Sequence, residues 1–242
     1  MKKKVLVLSL IAAVVAISVI GASLAWFADT DQATNVFTIG RIDIVQNEDF
    51  DPTTAQLLPV VGDDPTATTD NYIKKTVTVK NEGVNSAYVQ TYVAVPAVLD
   101  TNGIVKLYDD GLAARGWEKI DGDANTAGVQ PVATNVTIAG ETLPYNLYLY
   151  RHTAALAANA ETQACLQYVY IDSAIDLNPY DTDNDGTVDT AYFVTAAGTE
   201  ITTFNATGEL HVYVATQGVQ ADGFATAEAA LSAAFPHHPW AA

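Results

Sequence analysis

Cysteine, histidine and basic residues are scarce in this chain. Its 242 residues contain one cysteine, Cys165, so no internal disulfide can form. The four histidines include no His-Glu-x-x-His pair, and neither a Gly-x-Ser-x-Gly motif nor a phosphate-binding glycine loop is present. Lysine and arginine total 11 against 28 acidic residues, for a formal net charge of −17. Because such a surface repels phosphate backbones, we expect no nucleic-acid binding.

The first 25 residues have the composition of an export signal. Lys2–Lys4 form a positive start, the apolar run Val5–Ile20 follows, and small residues come next. Ser23 and Ala25 at positions −3 and −1 predict cleavage just before Trp26. A permanent anchor needs about 20 apolar residues, and this run is shorter. We therefore predict a signal helix over residues 1–25 that is removed from a secreted protein, which touches the membrane only before cleavage.

Beyond the leader, short alternating segments separated by Asn, Gly and Pro turns predict an all-β fold. One internal helix is expected, Thr226–Phe235, with Thr226 as its cap and Pro236 as its stop. Asn81-Glu82-Gly83 between two strands predicts a hairpin. Together these features predict a jelly-roll-like antiparallel β-sandwich over residues 37–242, preceded by an arm over 26–36. The predicted strands are Phe37–Val45, Asn71–Lys80, Ala87–Val95, Ile104–Tyr108, Trp117–Ile120, Asn135–Ile138, Tyr145–Tyr150, Gln163–Asp172, Ala191–Thr195 and Glu209–Ala215.

A family pattern runs through the start of the mature chain. A small-residue cleavage site is followed by Trp26-Phe27, by Asp29, and then by Phe37-Thr38-Ile39-Gly40 leading into an alternating strand. This combination resembles the entry of the TasA/camelysin family, secreted biofilm-matrix fibre proteins whose leaders are cut by a signal peptidase of the SipW type. The segments Val77–Val89, Tyr145–Tyr150 with Gln163–Asp172, and Leu210–Phe224 are similar to the front, central and closing strands of that family.

The resemblance implies that copies of this chain assemble head-to-tail into fibres in the extracellular matrix or at the cell surface, with other matrix components as further partners. Asp, Ala and Asn are poor strand formers, so the arm Trp26–Asn35 is not expected to order by itself. A sandwich that lacks one strand would accept the arm of a neighbour by donor-strand complementation. A frayed tail and an edge strand within the same subunit remain alternatives. The proposed donor residues are Trp26, Phe27, Asp29, Asp31, Ala33 and Asn35.

An acidic loop carries the sharpest chemical motif. It has carboxylates at positions 1, 3, 5 and 9 and glycine at position 6, as in the front of a calcium loop, but position 12 is Tyr192 where a full EF-hand has glutamate. Calcium is the candidate ligand, and an Asp/Asn/Gly turn before the next strand is the alternative. The candidate metal residues are Asp181, Asp183, Asp185, Thr187 and Asp189.

Camelysin-like proteins have been described as metallopeptidases, and the histidines bear on that possibility. His152, His211, His237 and His238 include no pair at i, i+4 spacing, so we predict that the chain is not an enzyme. A monomeric calcium- or glycan-binding surface module is the alternative function. Tyr145, Tyr148, Tyr150, Tyr168 and Tyr170 are the candidates for a glycan-binding face, although sheet packing is their more frequent role.

Overall fold

Short antiparallel strands make up most of the fold, as the alternating sequence predicts. The computed structural model describes residues 41–51, 58–60, 71–122 and 129–241, all within the compact unit Gly40–Ala242. The predicted signal peptide, residues 1–25, and the predicted arm, residues 26–36, lie outside the described residues. The strands are β1 Ile44–Asp49, β2 Ile73–Asn81, β3 Ala87–Pro96, β4 Val105–Tyr108, β5 Trp117–Ile120, β6 Ala133–Thr137, β7 Pro144–His152, β8 Leu166–Ile171, β9 Asp176–Tyr180, β10 Thr190–Val194, β11 Glu200–Ile201 and β12 Tyr213–Gln220.

The strands form two main antiparallel sheets and one smaller sheet. The first main sheet has the order β1-β2-β8-β4, and the second has the order β12-β3-β7-β5. β6 also pairs with β7, so β5 and β6 occupy consecutive stretches of one edge of β7. The smaller sheet has the order β11-β10-β9. Because the chain passes from one main sheet to the other between β2 and β3, β3 and β4, β4 and β5, and β7 and β8, the structure confirms the predicted all-β sandwich.

The main core lies between the two sheets. Val77 and Val79 of β2 and Val169 of β8 meet Val93 of β3 and Tyr150 of β7, and all five are almost completely buried. This burial follows from the period-two alternation of the strands, which sends every second side chain inward. The smaller sheet closes one end of this core with Phe193 and Phe204, whose rings stack at 6.1 Å.

Strand β3 is buried on both faces. Its outward-facing Tyr92 and Ala94 join a second apolar cluster with Leu147 of β7. Val136 of β6 and Trp240 near the end of the chain pack against that cluster and cover it. A strand covered on both faces lacks the polar alternation of a half-exposed strand, as the sequence of β3 shows.

The predicted hairpin around Asn81-Glu82-Gly83 is wrong. β2 and β3 lie in different sheets, and the loop after Asn81 carries the chain across the sandwich. The buried Asn81 amide holds this crossing by donating to the carbonyls of Asn85, at 2.8 Å, and Leu156, at 3.1 Å. Its Oδ1 accepts from the Gly83 N–H at 3.0 Å. Gly83 is required because a Cβ there would lie 2.4 Å from the Arg41 carbonyl oxygen.

Several element boundaries differ from the sequence-based prediction. β1 continues through Asp49, because its acidic end pairs with lysines of β2. Residues 37–40, which were predicted as the start of this strand, lie outside the described residues. β12 begins at Tyr213 and runs to Gln220 along β3, although Gly218 disfavours a strand locally. The strand β9 and the short helix Ala97–Thr101 were not predicted.

The C-terminal helix Ala227–Ala234 confirms the single predicted helix. The Thr226 side chain accepts from the Ala229 N–H at 3.2 Å, which is the predicted cap. Its buried face consists of Ala227, Ala230 and Leu231. In the part of the chain that is described, no helix combines the length and the apolar character needed to cross a membrane.

Replacing Asn81 with alanine is expected to lower the free energy of unfolding by about 2–4 kcal/mol, because it leaves several buried backbone groups of the crossing loop without partners. Urea denaturation followed by circular dichroism measures the change. Asn102→Ala is the matched control, since Asn102 also donates to a carbonyl, that of Val98, but is exposed. A loss at Asn81 no larger than at Asn102 would contradict the role given to the crossing loop.

Candidate functional site

An open groove of about 860 Å³ lies beside the segment that leads into β12, where β1 ends and β12 begins. Ile73 and Val169 line it from the first sheet, Leu177 lines it from the smaller sheet, and Leu210 lines it from the segment before β12. Phe50, just after β1, also lines it and is exposed. Apolar side chains therefore face an open space between the first sheet, the smaller sheet and the segment before β12.

The two edges meet at one end and separate at the other. Ile44 packs over Gly218, where an added Cβ would lie 2.5 Å from the Ile44 Cγ1 atom. Further along β1, the Gln46 amide oxygen accepts from the Thr216 hydroxyl of β12 at 2.7 Å. β1 and β12 nevertheless belong to different sheets. An edge strand presents a row of backbone N–H and C=O groups that can pair with an added strand.

A buried cation lies on the first-sheet wall of the groove. The Lys75 side chain is only 9% exposed, and its Nζ contacts the Glu48 carboxylate at 2.5 Å. The same Nζ lies 5.0 Å from the centre of the Phe50 ring. Burying a lysine is costly unless the charge is paired, and Glu48 provides that pairing. The wall of the groove therefore carries one buried cation whose charge is balanced by a neighbouring carboxylate.

On the opposite wall, His211 lies between two carboxylates. Its Nδ1 contacts Glu141 at 2.9 Å, and its Nε2 contacts Glu209 at 3.2 Å. The hydrogen bond to Glu141, followed by the one to Glu209, raises the pKa of His211 above its usual value. Hydrogen bonds from Tyr213 and then from His211 lower the pKa of Glu141. The cluster therefore ties the segment before β12 to the loop before β7 through an imidazole whose protonated form is favoured by two carboxylates.

The acidic loop forms the tip of the β9–β10 hairpin. Among the described residues, the one group of at least three side chains able to hold a metal ion is Asp181, Asp183 and Asp189, whose ligand oxygens lie within 4.8 Å of one another. Asp185, also predicted as a ligand, is not in this group, and its carboxylate accepts from the Thr187 N–H at 2.7 Å. The structure therefore brings together three of the five predicted residues.

The loop's own backbone shapes the cluster. Asp181 Oδ2 accepts from the Gly186 N–H at 2.9 Å, and Gly186 has a φ of +90°, which explains the glycine at position 6. Asp189 accepts from both the hydroxyl and the N–H of Thr182, which lowers its pKa and keeps it ionised. The other oxygen of Asp181 is buried without a hydrogen-bond partner. Three carboxylates with a free oxygen fit the oxygen-rich coordination that Ca²⁺ prefers.

The predicted glycan-binding tyrosines divide into two groups. Tyr145 and Tyr150 are buried, and the Tyr148 hydroxyl donates to the Asp100 carboxylate, so these three support the fold. Tyr168 and Tyr170 lie on the outer face of the first sheet and pack against other tyrosine rings at centroid distances of 4.9–6.1 Å. Tyr168 and Tyr170 are half-buried, so part of their ring surface remains open to solvent on this face.

Cys165 is a buried structural residue. Its side chain is completely buried, and burial raises the pKa of the thiol to about 12. The histidines do not share a site. His152 packs edge-on against Trp117 at 5.2 Å and lies far along the chain from the His211 cluster. The described residues therefore contain no metal-compatible group that includes a histidine.

Comparison with known families gives one result. The model of the family described as camelysin metallo-endopeptidase matches residues 1–93. The match supports assigning the chain to the TasA/camelysin family. A search of curated proteins found no match. The matched part covers the predicted leader and arm, strands β1 and β2, and most of β3.

Two features of the structure were not predicted from the sequence. The groove is formed by residues from seven separate stretches, so no local motif marks it. A polar cluster between the sheets, which contains Asp109, Lys119 and Tyr150, also went unnoticed. Lys119 lies in the short strand β5, four residues after Arg115. The sequence around it does not show whether this lysine pairs with a carboxylate of the other sheet or faces solvent.

Replacing His211 with glutamine is expected to remove part of the pH dependence of thermal unfolding. Because the folded protein raises the pKa of His211, the stabilisation is complete below its ordinary value of about 6.5 and is lost as the pH rises through the raised value. Glu141 must also stay ionised, which holds above about pH 4.3. The difference in Tm between the wild type and the variant should therefore be largest between these two values.

Differential scanning fluorimetry across the pH range measures this difference. His237→Gln is the matched control, since His237 is exposed in the tail after the last helix. A difference in Tm for His211→Gln that stays constant through neutral pH would contradict the assignment.

Proposed function

We propose that this chain is a secreted structural subunit of extracellular biofilm-matrix fibres, in which copies join head-to-tail by donor-strand complementation. The observation that carries the proposal is the apolar groove beside the end of β1 and the start of β12, which are edge strands of different sheets. Head-to-tail contacts that do not close into a ring produce an open filament.

The groove supports this function because it has both elements that strand addition needs. Backbone groups at the edges of two sheets supply hydrogen-bonding partners, and the exposed apolar wall supplies burial. Phe50 and Leu58 are each about two-fifths exposed beside the groove, which is costly for a protein that remains alone in water. An entering strand that covers them gains hydrophobic free energy in proportion to the area removed from water.

The proposed occupant is the arm Trp26–Asn35 of another copy. In an extended conformation its side chains alternate, so Trp26 and Ala28 share one face while Asp29 and Asp31 share the other. The aromatic start suits the apolar wall, and an aspartate suits the wall that holds Lys75. The arm becomes available once the leader is cut, for which a signal peptidase of the SipW type is the proposed partner. Other matrix components are proposed as further partners of the finished fibre.

A structural role is proposed in preference to peptidase activity. The description of the matched family names a metallo-endopeptidase, and such chemistry needs a metal with an open coordination position held by suitably spaced ligands. His211 is engaged by two carboxylates and His152 by an aromatic ring and the Ala154 carbonyl. Casein hydrolysis by the purified protein that is abolished by a chelator and restored by zinc would overturn this part of the proposal.

Removal of the arm is expected to abolish fibre formation. A chain that begins at Phe37 keeps the groove but lacks the strand to fill it, so it should stay monomeric where the mature chain forms filaments. Electron microscopy and sedimentation of the two purified proteins measure the difference. Fibres of normal stability from the truncated chain would exclude donor-strand complementation.

The groove side is tested by Leu210→Asp, which places a charge on the apolar wall. This variant should fail to accept an arm although it still carries its own. Val84→Asp is the matched control, because Val84 is 65% exposed in the loop between β2 and β3 and lies outside the groove. Equal fibre yields from both variants would place the contact elsewhere.

We also propose that the acidic loop binds Ca²⁺ through Asp181, Asp183 and Asp189. The support is their convergence and the unpartnered oxygen of Asp181. Calorimetric titration of the wild type with Ca²⁺ should give measurable heat, and Asp183→Ala should weaken binding at least tenfold, because one of three charged ligands is lost. Asp110→Ala, which removes an exposed aspartate elsewhere, is the control. An absence of heat from the wild type removes the site.

A monomeric calcium- or glycan-binding surface module is the second candidate. It is favoured by the acidic loop and by the tyrosine rings on the outer face of the first sheet. The two functions differ in the state of the protein: the module remains monomeric at high concentration with its arm intact, whereas the fibre subunit does not. Mass photometry of the mature chain distinguishes them.

A further inference from the structure

A cluster of polar side chains lies between the two main sheets, at the end where β4 and β5 meet. Asp109 follows β4 of the first sheet, and Lys119 belongs to β5 of the second sheet. The Lys119 Nζ contacts Asp109 Oδ2 at 2.6 Å, and the two side chains are only 18% and 17% exposed. The pair therefore links the sheets where little water reaches it.

The surroundings of this pair differ from those of an ordinary ion pair. The phenol of Tyr150, which is completely buried, donates to the same Asp109 oxygen at 2.6 Å. Burial, followed by the nearby Asp109 carboxylate, raises the pKa of Tyr150 well above its usual value, so the phenol keeps its proton. The Lys119 Nζ lies 4.6 Å from the Tyr148 ring centre and 5.4 Å from that of Tyr150. An amine, a carboxyl group and a proton donor are thus held together against aromatic walls.

The backbone around Asp109 is also fixed. Arg115 donates from Nη2 to the Asp109 carbonyl at 3.2 Å and from Nε to the Ala164 carbonyl at 2.7 Å. Lys119 is held by the pairing of its strand, opposite Tyr150. Two reacting groups held in this way reach effective concentrations of about 10⁵–10⁸ M, which can make a reaction that is unfavourable in water proceed.

We infer that Lys119 and Asp109 condense into an intramolecular isopeptide bond that joins the two sheets covalently. The ammonium first passes a proton to the carboxylate, which gives a neutral amine and a neutral acid. The amine lone pair attacks Asp109 Cγ while the Tyr150 phenol stabilises the charge that develops on the bound oxygen. The carboxyl hydroxyl then leaves with a second amine proton as water, and an Nζ–Cγ amide remains. The step balances without any oxidant, reductant or co-reactant.

The same chain contains two comparison pairs. Lys74 and Asp49 are also in contact, but their side chains are 58% and 67% exposed, so water surrounds both groups. Lys75 is buried against Glu48, whose other oxygen accepts from the Gln46 amide rather than from a phenol. The Lys119–Asp109 pair is distinguished from both by the buried proton donor on the reacting carboxyl group.

Mass spectrometry of the purified, folded chain tests the inference. The wild type is expected to weigh one water less than its sequence requires. Trypsin cuts after Lys106, Arg115 and Arg151, so the linked product should join peptide 107–115 to peptide 116–151 and remain uncut after Lys119. A wild-type protein of full mass, or a lost water that maps to the Lys74 or Lys75 pair, overturns the inference.

Four variants define the chemistry. Lys119→Arg keeps the positive charge and the ion pair but should retain full mass, as should Asp109→Ala. Asp109→Asn should lose ammonia in place of water and reach the same final mass as the linked wild type, and retention of the ammonia would contradict the role of this carboxyl group. Tyr150→Phe should form the bond at least tenfold more slowly, whereas an unchanged rate would remove the phenol from the step. Circular dichroism of Lys119→Arg confirms that it is folded.

Discussion

The separation of β1 and β12 into different sheets is the constraint on which the rest of the molecule depends. A sandwich of two antiparallel sheets buries its core well only where its edges are covered, and here the two edges meet along part of their length. Where they meet, side chains of one sheet reach the backbone of the other. Where β1 ends and β12 begins, apolar residues such as Phe50 line an open groove and remain in contact with water.

The order of the strands follows from the same crossing topology. Because the chain crosses repeatedly between the two main sheets, the core is assembled from residues far apart in sequence, such as Val79 and Tyr150. Such a fold depends on its loops as much as on its strands. The buried amide of Asn81 and the guanidinium of Arg115 each hold a crossing segment through several backbone carbonyls, which replaces the hydrogen bonds that a hairpin would have provided.

Sequence reasoning predicted the class of fold and the acidic loop, because both depend on local patterns. Alternation locates strands such as β7, and the spacing of Asp181, Asp183 and Asp189 brings their oxygens together in one hairpin tip. Sequence reasoning failed where residues that are in contact lie far apart along the chain. Asn81-Glu82-Gly83 has the local chemistry of a tight turn, and only the pairing of β2 with β8 shows that the chain crosses instead. The groove and the Lys119–Asp109 pair arise from tertiary contacts alone.

Gly218 has a consequence for the contact between the two edge strands. Its missing Cβ lets Ile44 lie directly on β12, because an added Cβ would fall 2.5 Å from the Ile44 Cγ1 atom. Alanine or serine at this position would push Ile44 and the start of β1 away from β12. The approach of the two sheets at this end is therefore limited by the backbone of β12 rather than by the size of one of its side chains.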